Sequence, residues 1–153
     1  TFRKGRYVSI RLFDNWLNLL AGHAPEACNL CGRCSPNYLV ESDGSVYPCD
    51  FYALDEWRLG SVNDSSFYRL AASPIMARFL NASLFLDPAC RDCRWLPLCR
   101  GGCRREREPF VNGLPQRFRL CESHKLFWDT CYDRMAALAK LPPPKMPMQF
   151  RQN

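Results

Sequence analysis

The order of apolar and polar residues predicts short secondary-structure elements separated by long irregular segments. Residues 7–11, Tyr-Val-Ser-Ile-Arg, predict a short strand. Apolar residues then recur at the spacing of a helix, at Phe13, Trp16, Leu17 and Leu20. Asp14 is suited to cap the start of this helix, and Gly22 is suited to follow its end. An amphipathic helix needs a packing partner, which the pattern does not identify.

Residues 38–47 predict a β-hairpin, because two β-prone runs flank Asp43-Gly44, the strongest short-range signal for a hairpin. Cys34 precedes the first strand of this hairpin and Cys49 follows the second. The hairpin is therefore expected to bring these two cysteines together, although fifteen residues separate them in the sequence.

Helices are predicted in the middle of the chain and near its end. Residues 65–82 predict two short helices, the second with Ser73 as N-cap and Pro74 in its first position. Its apolar face consists of Ile75, Met76, Phe79 and Leu80. A helix of about twenty residues is predicted to begin at Cys121. Its apolar face is predicted to be Phe127, Cys131, Met135 and Leu138. From Pro142 onward the tail is rich in proline and is expected to be extended or disordered.

The composition is that of an ordinary globular protein with one domain and appendages, since 47% of its 153 residues are hydrophobic and 24% are charged. No apolar run reaches the length of about 18 residues typical of a transmembrane helix. The first residues, Thr-Phe-Arg-Lys-Gly-Arg, lack the apolar segment of a signal peptide. We therefore expect a cytoplasmic location and no membrane partner. Because the chain lacks an initiator Met, we expect a fragment, a processed form or the product of a truncated gene.

The net charge of +6 is modest, and the basic residues are scattered except for one cluster. That cluster is Arg100, Arg104, Arg105 and Arg107. We interpret it as a solvated face, because no nucleic-acid-binding motif accompanies it. No nucleic-acid partner is expected.

The cysteines are the most informative residues, because the chain has ten of them, at positions 28, 31, 34, 49, 90, 93, 99, 103, 121 and 131. In a reducing cytosol such a density favours metal binding over disulfides, although a disulfide knot remains an alternative. His23 and His124 are the only histidines and are too few for mixed His/Cys zinc fingers. An all-thiolate site is the simplest interpretation.

The densest stretch runs from Cys90 to Cys103 with the spacing C-x2-C-x5-C-x3-C. Core packing gives no reason to repeat a thiol at such intervals, whereas a soft metal centre requires several thiolates to converge. Gly101-Gly102 fit this interpretation, because residues without Cβ let the backbone approach a bulky cluster and adopt positive φ.

The complete cysteine pattern resembles the SPASM signature, found in C-terminal extensions of radical S-adenosylmethionine enzymes that hold two auxiliary [4Fe-4S] clusters. Its parts are Cys34-x9-Gly44-x4-Cys49, the dense stretch and a distant Cys121. The segments Tyr47-Pro-Cys49-Asp50-Phe-Tyr52 and Leu54-Asp-Glu-Trp57, with Cys28 six residues before Cys34, resemble anaerobic sulfatase-maturating enzymes in particular. The resemblance extends over residues 7 to about 125.

The resemblance implies two interleaved ligand sets. The first auxiliary cluster would bind to Cys28, Cys34, Cys49 and Cys103. The second would bind to Cys90, Cys93, Cys99 and Cys121. The expected fold is a loop-rich α+β domain, with a small β-hairpin and several helices arranged around the two clusters. Because little continuous core is visible in this region, we expect its folding to depend on the clusters.

Asp50 is the non-cysteine residue to which the resemblance gives a role. From the sequence alone, it is equally well a solvated or capping carboxylate. The matching aspartate of the family is the proposed base near the substrate, which would accept a proton from the target Cys or Ser of a sulfatase. Its position beside Cys49 would place the proton acceptor next to an electron acceptor.

The chain lacks the C-x3-C-x2-C motif with which radical S-adenosylmethionine enzymes bind their catalytic cluster. S-adenosylmethionine and a third [4Fe-4S] cluster are therefore expected only in a missing N-terminal domain, and this chain alone is not expected to be active. We divide it into a strand–helix connection from that domain (1–24), a SPASM two-cluster domain (25–125), a C-terminal helix (126–141) and a Pro-rich tail (142–153).

Two cysteines and two other functions remain open. Cys31 competes as a ligand within C-x2-C-x2-C or is a bystander, and Cys131 is most simply a small buried apolar residue. The domain could serve another peptide-modifying radical enzyme, such as one that forms crosslinks in ribosomal peptides. It could also be a non-catalytic zinc module with two four-cysteine sites, used for protein interaction.

Overall fold

The computed structural model describes residues 8–112 and 115–142 and shows a loop-rich chain with small helices and strands. The α-helices of this part are α1 (Arg11–Leu20), α2 (Phe67–Ala71), α3 (Pro74–Ala82), α4 (Leu96–Cys99) and α5 (Cys121–Ala139). The strands are β1 (Leu39–Val40), β2 (Ser45–Tyr47) and β3 (Gly60–Ser61). Single turns of 3-10 helix lie at Cys28–Leu30, Asp50–Tyr52, Asp55–Trp57, Pro88–Cys90 and Arg104–Arg107. The predicted α+β class is confirmed.

The three strands form one antiparallel sheet in the order β1-β2-β3. The predicted hairpin is confirmed, with Val40 opposite Val46 and a turn at Asp43-Gly44. Gly44 has φ of +85°, and a Cβ there would lie 2.6 Å from Asn63 Nδ2, so the turn requires glycine. The third strand was not predicted, because its two residues carry no alternating pattern.

A first core, the sheet core, lies between the sheet and the helices that follow it. It consists of Val46, Tyr52, Trp57, Leu59, Leu70, Met76 and Phe79. The predicted cap of α3 is confirmed, since the Ser73 hydroxyl accepts a hydrogen bond from Met76 N at 3.1 Å. The predicted apolar face is also confirmed, with Met76 and Phe79 fully buried. The expectation of little continuous core in the cluster-binding region, residues 28–121, was therefore wrong.

A second core, the helix core, joins α1, α4 and α5. It consists of Trp16, Leu30, Trp95, Leu98, Trp128 and Met135. Trp16 is its centre: its ring lies 4.8 Å from the ring of Phe127 and 4.8 Å from that of Trp128, centroid to centroid. The packing partner of α1, which the sequence did not identify, is therefore mainly α5.

Three predictions about α1 and α5 need correction. Residues 8–10 form no strand, and Arg11 begins the helix. Asp14 lies in the first turn of α1 and not at its cap, because Asp14 N already donates to Ile10 O at 3.0 Å. On α5, Leu138 is 45% exposed, and Trp128 occupies the centre of the buried face.

Other predictions about the ends of elements agree with the structure or lie outside it. Gly22 follows α1 with φ of +80°, as predicted. The helix predicted from Cys121 begins at that residue and has 19 residues. Of the predicted Pro-rich tail, residues 143–153 lie outside the described residues. Within the described part of the chain, no helix is long and apolar enough to cross a membrane.

Candidate metal centre

The early cysteines meet a late one at the open end of the hairpin. Asn37 N donates to Pro48 O at 3.0 Å, which holds the two ends of the hairpin together and places Cys34 and Cys49 at one side. Cys34 N also donates to the hydroxyl of Ser83, at 2.9 Å. The thiol of Cys103, which comes much later in the sequence, belongs to the same group.

Electrostatic coupling shows which thiols are neighbours in this first group. Burial raises the pKa of Cys34, and repulsion from Cys103 adds to the effect. Burial also raises the pKa of Cys49 to about 12, with smaller contributions from Asp50 and Cys103. Burial raises the pKa of Cys103 itself, helped by Glu106 and Cys28. Cys103 thus interacts with all three early cysteines of the predicted set.

The remaining late cysteines form a second group around the start of α5. Burial raises the pKa of Cys99, and repulsion from Cys121, Cys90 and Cys93 raises it further. Burial likewise raises the pKa of Cys90, followed by repulsion from Asp87, Cys121 and Cys93. Four thiols from the loop before α4, from the end of α4 and from the start of α5 therefore lie within electrostatic range of one another.

These two groups have the composition that two shared clusters would require, and the individual ligands remain a prediction. All ten cysteines are free thiols. In the described residues, no three or more His, Cys, Asp and Glu side chains converge closely enough to hold one metal ion. The raised pKa values mean that five of the thiols keep their protons at neutral pH, namely those of Cys34, Cys49, Cys90, Cys99 and Cys103. Metal binding would therefore have to displace protons.

The chain turns sharply between the two groups through three consecutive residues with positive φ. These are Arg100 at 53°, Gly101 at 80° and Gly102 at 65°. A Cβ on Gly102 would lie 2.6 Å from Cδ2 of Phe118, and a Cβ on Gly101 would collide with Leu86. The glycines are thus needed for a tight approach to two apolar side chains, besides any approach to a cluster.

We expect Gly102→Ala to destabilise the protein more than Gly22→Ala. Both glycines have positive φ, which costs about 1–2 kcal/mol for a residue with a Cβ. Only Gly102 would add a steric clash, which typically costs about 1–3 kcal/mol more, because nothing lies within 4 Å of a Cβ on Gly22. Thermal unfolding of the two variants measures the difference. Equal melting temperatures would show that the turn relaxes without cost.

Asp50 lies directly beside the first group, in the 3-10 turn Asp50–Tyr52 that follows Cys49. Its Oδ1 accepts hydrogen bonds from Cys49 Sγ at 3.2 Å and from Phe51 N at 3.1 Å. The carboxylate is exposed, so it can meet a substrate from solvent. Asp50 therefore combines contact with a candidate ligand and access from outside.

The two cysteines outside the signature have different surroundings. Cys31 is exposed, and its thiol donates weakly to Ala27 O at 3.6 Å and Pro25 O at 3.8 Å. Cys131 is half-buried against the helix core, as predicted for a small apolar residue.

The basic cluster of the sequence was misinterpreted in part. Arg104 and Arg107 are only 4% and 3% exposed, whereas Arg105 is exposed. The single 3-10 turn Arg104–Arg107 explains the difference, because residues three apart lie on the same side of such a helix. The spacing of the two arginines directly after Cys103 was the sequence signal that could have revealed them.

Known proteins share both the sequence and the fold of this region. Residues 28–94 match the SPASM family, an iron-sulfur cluster-binding domain. The cysteine-type anaerobic sulfatase-maturating enzyme of Clostridium novyi (strain NT) is 45% identical over 140 residues, covering 91% of this chain and 37% of the relative. A solved structure of anSMEcpe with bound AdoMet superimposes with a TM-score of 0.89 at 37% identity, covering 94% of this chain and 38% of that one. The predicted resemblance to the SPASM family is confirmed.

The similarity extends to a second type of sulfatase-maturating enzyme. The serine-type enzyme of Bacteroides thetaiotaomicron is 26% identical over 117 residues, covering 75% of this chain and 28% of the relative. The SPASM match includes the early cysteines and ends at residue 94, so Cys99, Cys103 and Cys121 lie beyond it. This chain spans little more than a third of the length of the clostridial relatives.

Proposed function

We propose that this SPASM region holds the two auxiliary [4Fe-4S] clusters of an anaerobic sulfatase-maturating enzyme, a radical S-adenosylmethionine oxidoreductase. The observation that supports this most strongly is the division of eight thiols into two interleaved groups of four. Cys103 joins the early cysteines across the sequence, and Cys121 joins the late ones. Four thiolates are the usual ligand set of such a cluster.

Each group has a defined part in the proposal. Cys28, Cys34, Cys49 and Cys103 would hold the first cluster. Cys90, Cys93, Cys99 and Cys121 would hold the second. When bound, the clusters would supply electron transfer, because four protein thiolates leave no iron free to bind a substrate. The ligands of each cluster come from distant parts of the chain, so the ligand loops would also be cross-linked.

The substrate in this proposal is a sulfatase peptide whose Cys or Ser is oxidised to formylglycine. A solved relative is described as native anSMEcpe with bound AdoMet and Cp18Cys peptide, which supports a peptide substrate. Asp50 would accept the proton from the target thiol or hydroxyl. Its exposed carboxylate beside Cys49 is suited to that role.

The rest of the chemistry would belong to an N-terminal domain outside this chain. That domain would bind S-adenosylmethionine and a third [4Fe-4S] cluster, and it would pack against the SPASM region. The coverage of 37–38% of the clostridial relatives is consistent with such a domain. A cytoplasmic location also belongs to the proposal, and ten free thiols are consistent with a reducing compartment.

Anaerobic reconstitution with iron and sulfide tests the metal. The expected result is a brown protein with broad absorbance near the violet and equal molar amounts of bound iron and sulfide. A colourless protein that retains zinc and excludes iron would instead make the region a zinc module and would refute the proposal.

Alanine variants test the assignment of ligands. Cys49→Ala and Cys93→Ala should each lose about half of the iron held by the eight cysteines, because each removes a ligand of one of two equal clusters. Cys131→Ala is the matched control and should lose none. Iron and sulfide analysis of the purified variants provides the measurement. If Cys31→Ala removes as much iron as Cys34→Ala, the proposed ligand set of the first cluster is wrong.

A further inference from the structure

A buried positive charge with unused hydrogen-bond donors lies beside the first group of thiols. Arg104 follows Cys103 directly and is 4% exposed. Its Nε and Nη1 are both buried and have no hydrogen-bond partner. None of the ion pairs found in residues 8–112 and 115–142 includes it. A buried, unpaired cation is costly, so an anion is expected to compensate it.

Aromatic rings surround this guanidinium on several sides. Its Cζ lies 4.6 Å from the ring centroid of Tyr52 and 4.6 Å from that of Trp57. Phe79 and Phe110 lie at 5.2 Å and 5.1 Å. The rings offset part of the cost of burial through their negative faces, but they leave the N–H groups of Nε and Nη1 without an acceptor. They also hold the charge in one position.

The positive charge of Arg104 acts on the first group of thiols. Arg104 opposes the effect of burial on the pKa of Cys34, which shows that the two are close enough to interact. Arg107 also acts on Cys34, and it acts on Cys90 of the second group as well. Two of its three nitrogens have partners, because Nη1 donates to Phe85 O at 2.5 Å and Nη2 donates to Ser83 O at 3.0 Å, and its Nε has none. Arg104 is therefore the arginine of this pair with more unused donors.

We infer that Arg104 tunes the reduction potential of the first auxiliary cluster, with its charge and its two unpartnered nitrogens, Nε and Nη1, serving the sulfur atoms of that cluster. This inference rests on the proposed function. A cluster with four thiolates is an anion that gains further negative charge when it accepts one electron. A fixed cation beside it stabilises the reduced form more than the oxidised form, and hydrogen bonds to sulfur act in the same direction. Arg104 therefore raises the potential.

The test is a redox titration of the complete, cluster-loaded protein carrying Arg104→Met, followed by electron paramagnetic resonance. Methionine fills a similar volume among the aromatic rings and removes the charge. We expect the equilibrium constant for one-electron reduction of the first cluster to fall at least tenfold, a downward shift of about 59 mV or more. The same titration in a Cys93→Ala background, without an intact second cluster, assigns the shifted transition.

Arg78→Met is the matched control. The guanidinium of Arg78 also lies over Trp57, with Cζ 4.5 Å from the ring centroid, but it is exposed to solvent. Its loss should leave both potentials unchanged. Arg104→Lys retains the charge without the planar group of donors, and we expect it to restore most of the shift. A merely structural arginine would produce neither the shift nor its recovery by lysine.

The outcomes separate this inference from the proposed function. A wild-type protein that binds zinc, or that lacks the first cluster, refutes the proposed function. Full iron content with unchanged potential in Arg104→Met refutes only the role of Arg104. If Arg104→Met loses the first cluster, the Arg104→Lys variant distinguishes a role of the charge from a role in packing. Recovery of the cluster near its wild-type potential supports the charge, and equal loss in both variants makes Arg104 a packing residue.

Discussion

Removal of iron is expected to unfold the cysteine-bearing loops while the packing of α1 against α5 persists. The loops at residues 28–34 and 87–107 contain single 3-10 turns, one four-residue helix and three consecutive residues with positive φ. Such segments have little stability of their own, so binding of the proposed clusters would supply much of their folding free energy. The contact between α1 and α5, in contrast, is made by Trp16, Phe127 and Trp128, which all lie outside these loops.

Hydrogen exchange read by mass spectrometry provides the measurement, on the complete protein with its clusters and after anaerobic chelation. Amide protection in residues 87–107 should fall towards that of an unfolded chain, a protection factor of about 1. Peptides from the middle of α5 serve as the internal control and should change little. Equal protection of residues 87–107 in both states would show that the loops fold without iron.

Because of the sheet core, fewer residues are expected to unfold without iron than the sequence alone suggested. Val46, Trp57 and Phe79 are buried members of this core, and none of them lies in the loops at residues 28–34 and 87–107. Their residues are spread over three short elements, so no single stretch of sequence has the periodicity of a core. This explains why the core was missed, and why the region between the first and last cysteines is not expected to unfold throughout.

Local signals were sufficient wherever a few neighbouring residues determine the backbone. The Asp43-Gly44 turn, the Ser73-Pro74 helix start and the Gly22 helix stop depend on side chains within one turn of each other. The family resemblance, which rests on cysteine spacing, was equally readable. This resemblance is specific because a soft metal centre constrains the positions of several cysteines at once.

Tertiary contacts determined what the sequence did not reveal. Arg104 and Arg107 looked like a charged surface because other charged residues stand beside them in the sequence. Apart from Phe110, their surroundings come from distant residues such as Tyr52, Phe79 and Ser83, between 20 and 60 residues away along the chain. The pairing of β3 with β2 and of α1 with α5 has the same origin, because each partner is recognisable only once the chain has folded.

In the complete enzyme, Asp50→Asn is expected to lower formylglycine production by about 100- to 10,000-fold, the usual contribution of a general base. The substitution retains the size of the side chain and an oxygen that can accept from Phe51 N, as Asp50 Oδ1 does at 3.1 Å. It removes the carboxylate that would take the proton from the target. Product formation on a sulfatase peptide, measured by mass spectrometry, provides the test.

Asp55→Asn is the matched control, because Asp55 is also an exposed carboxylate and opens the next 3-10 turn. It should leave activity unchanged. Iron content should also be unchanged in Asp50→Asn, since Asp50 contacts Cys49 Sγ and is not itself a proposed ligand. Cleavage of S-adenosylmethionine should continue, because the proposed function assigns that step to an N-terminal domain outside this chain. Loss of iron would make Asp50 structural, and full activity would make it a bystander. Only loss of product with iron and cofactor cleavage retained is consistent with a base at the substrate.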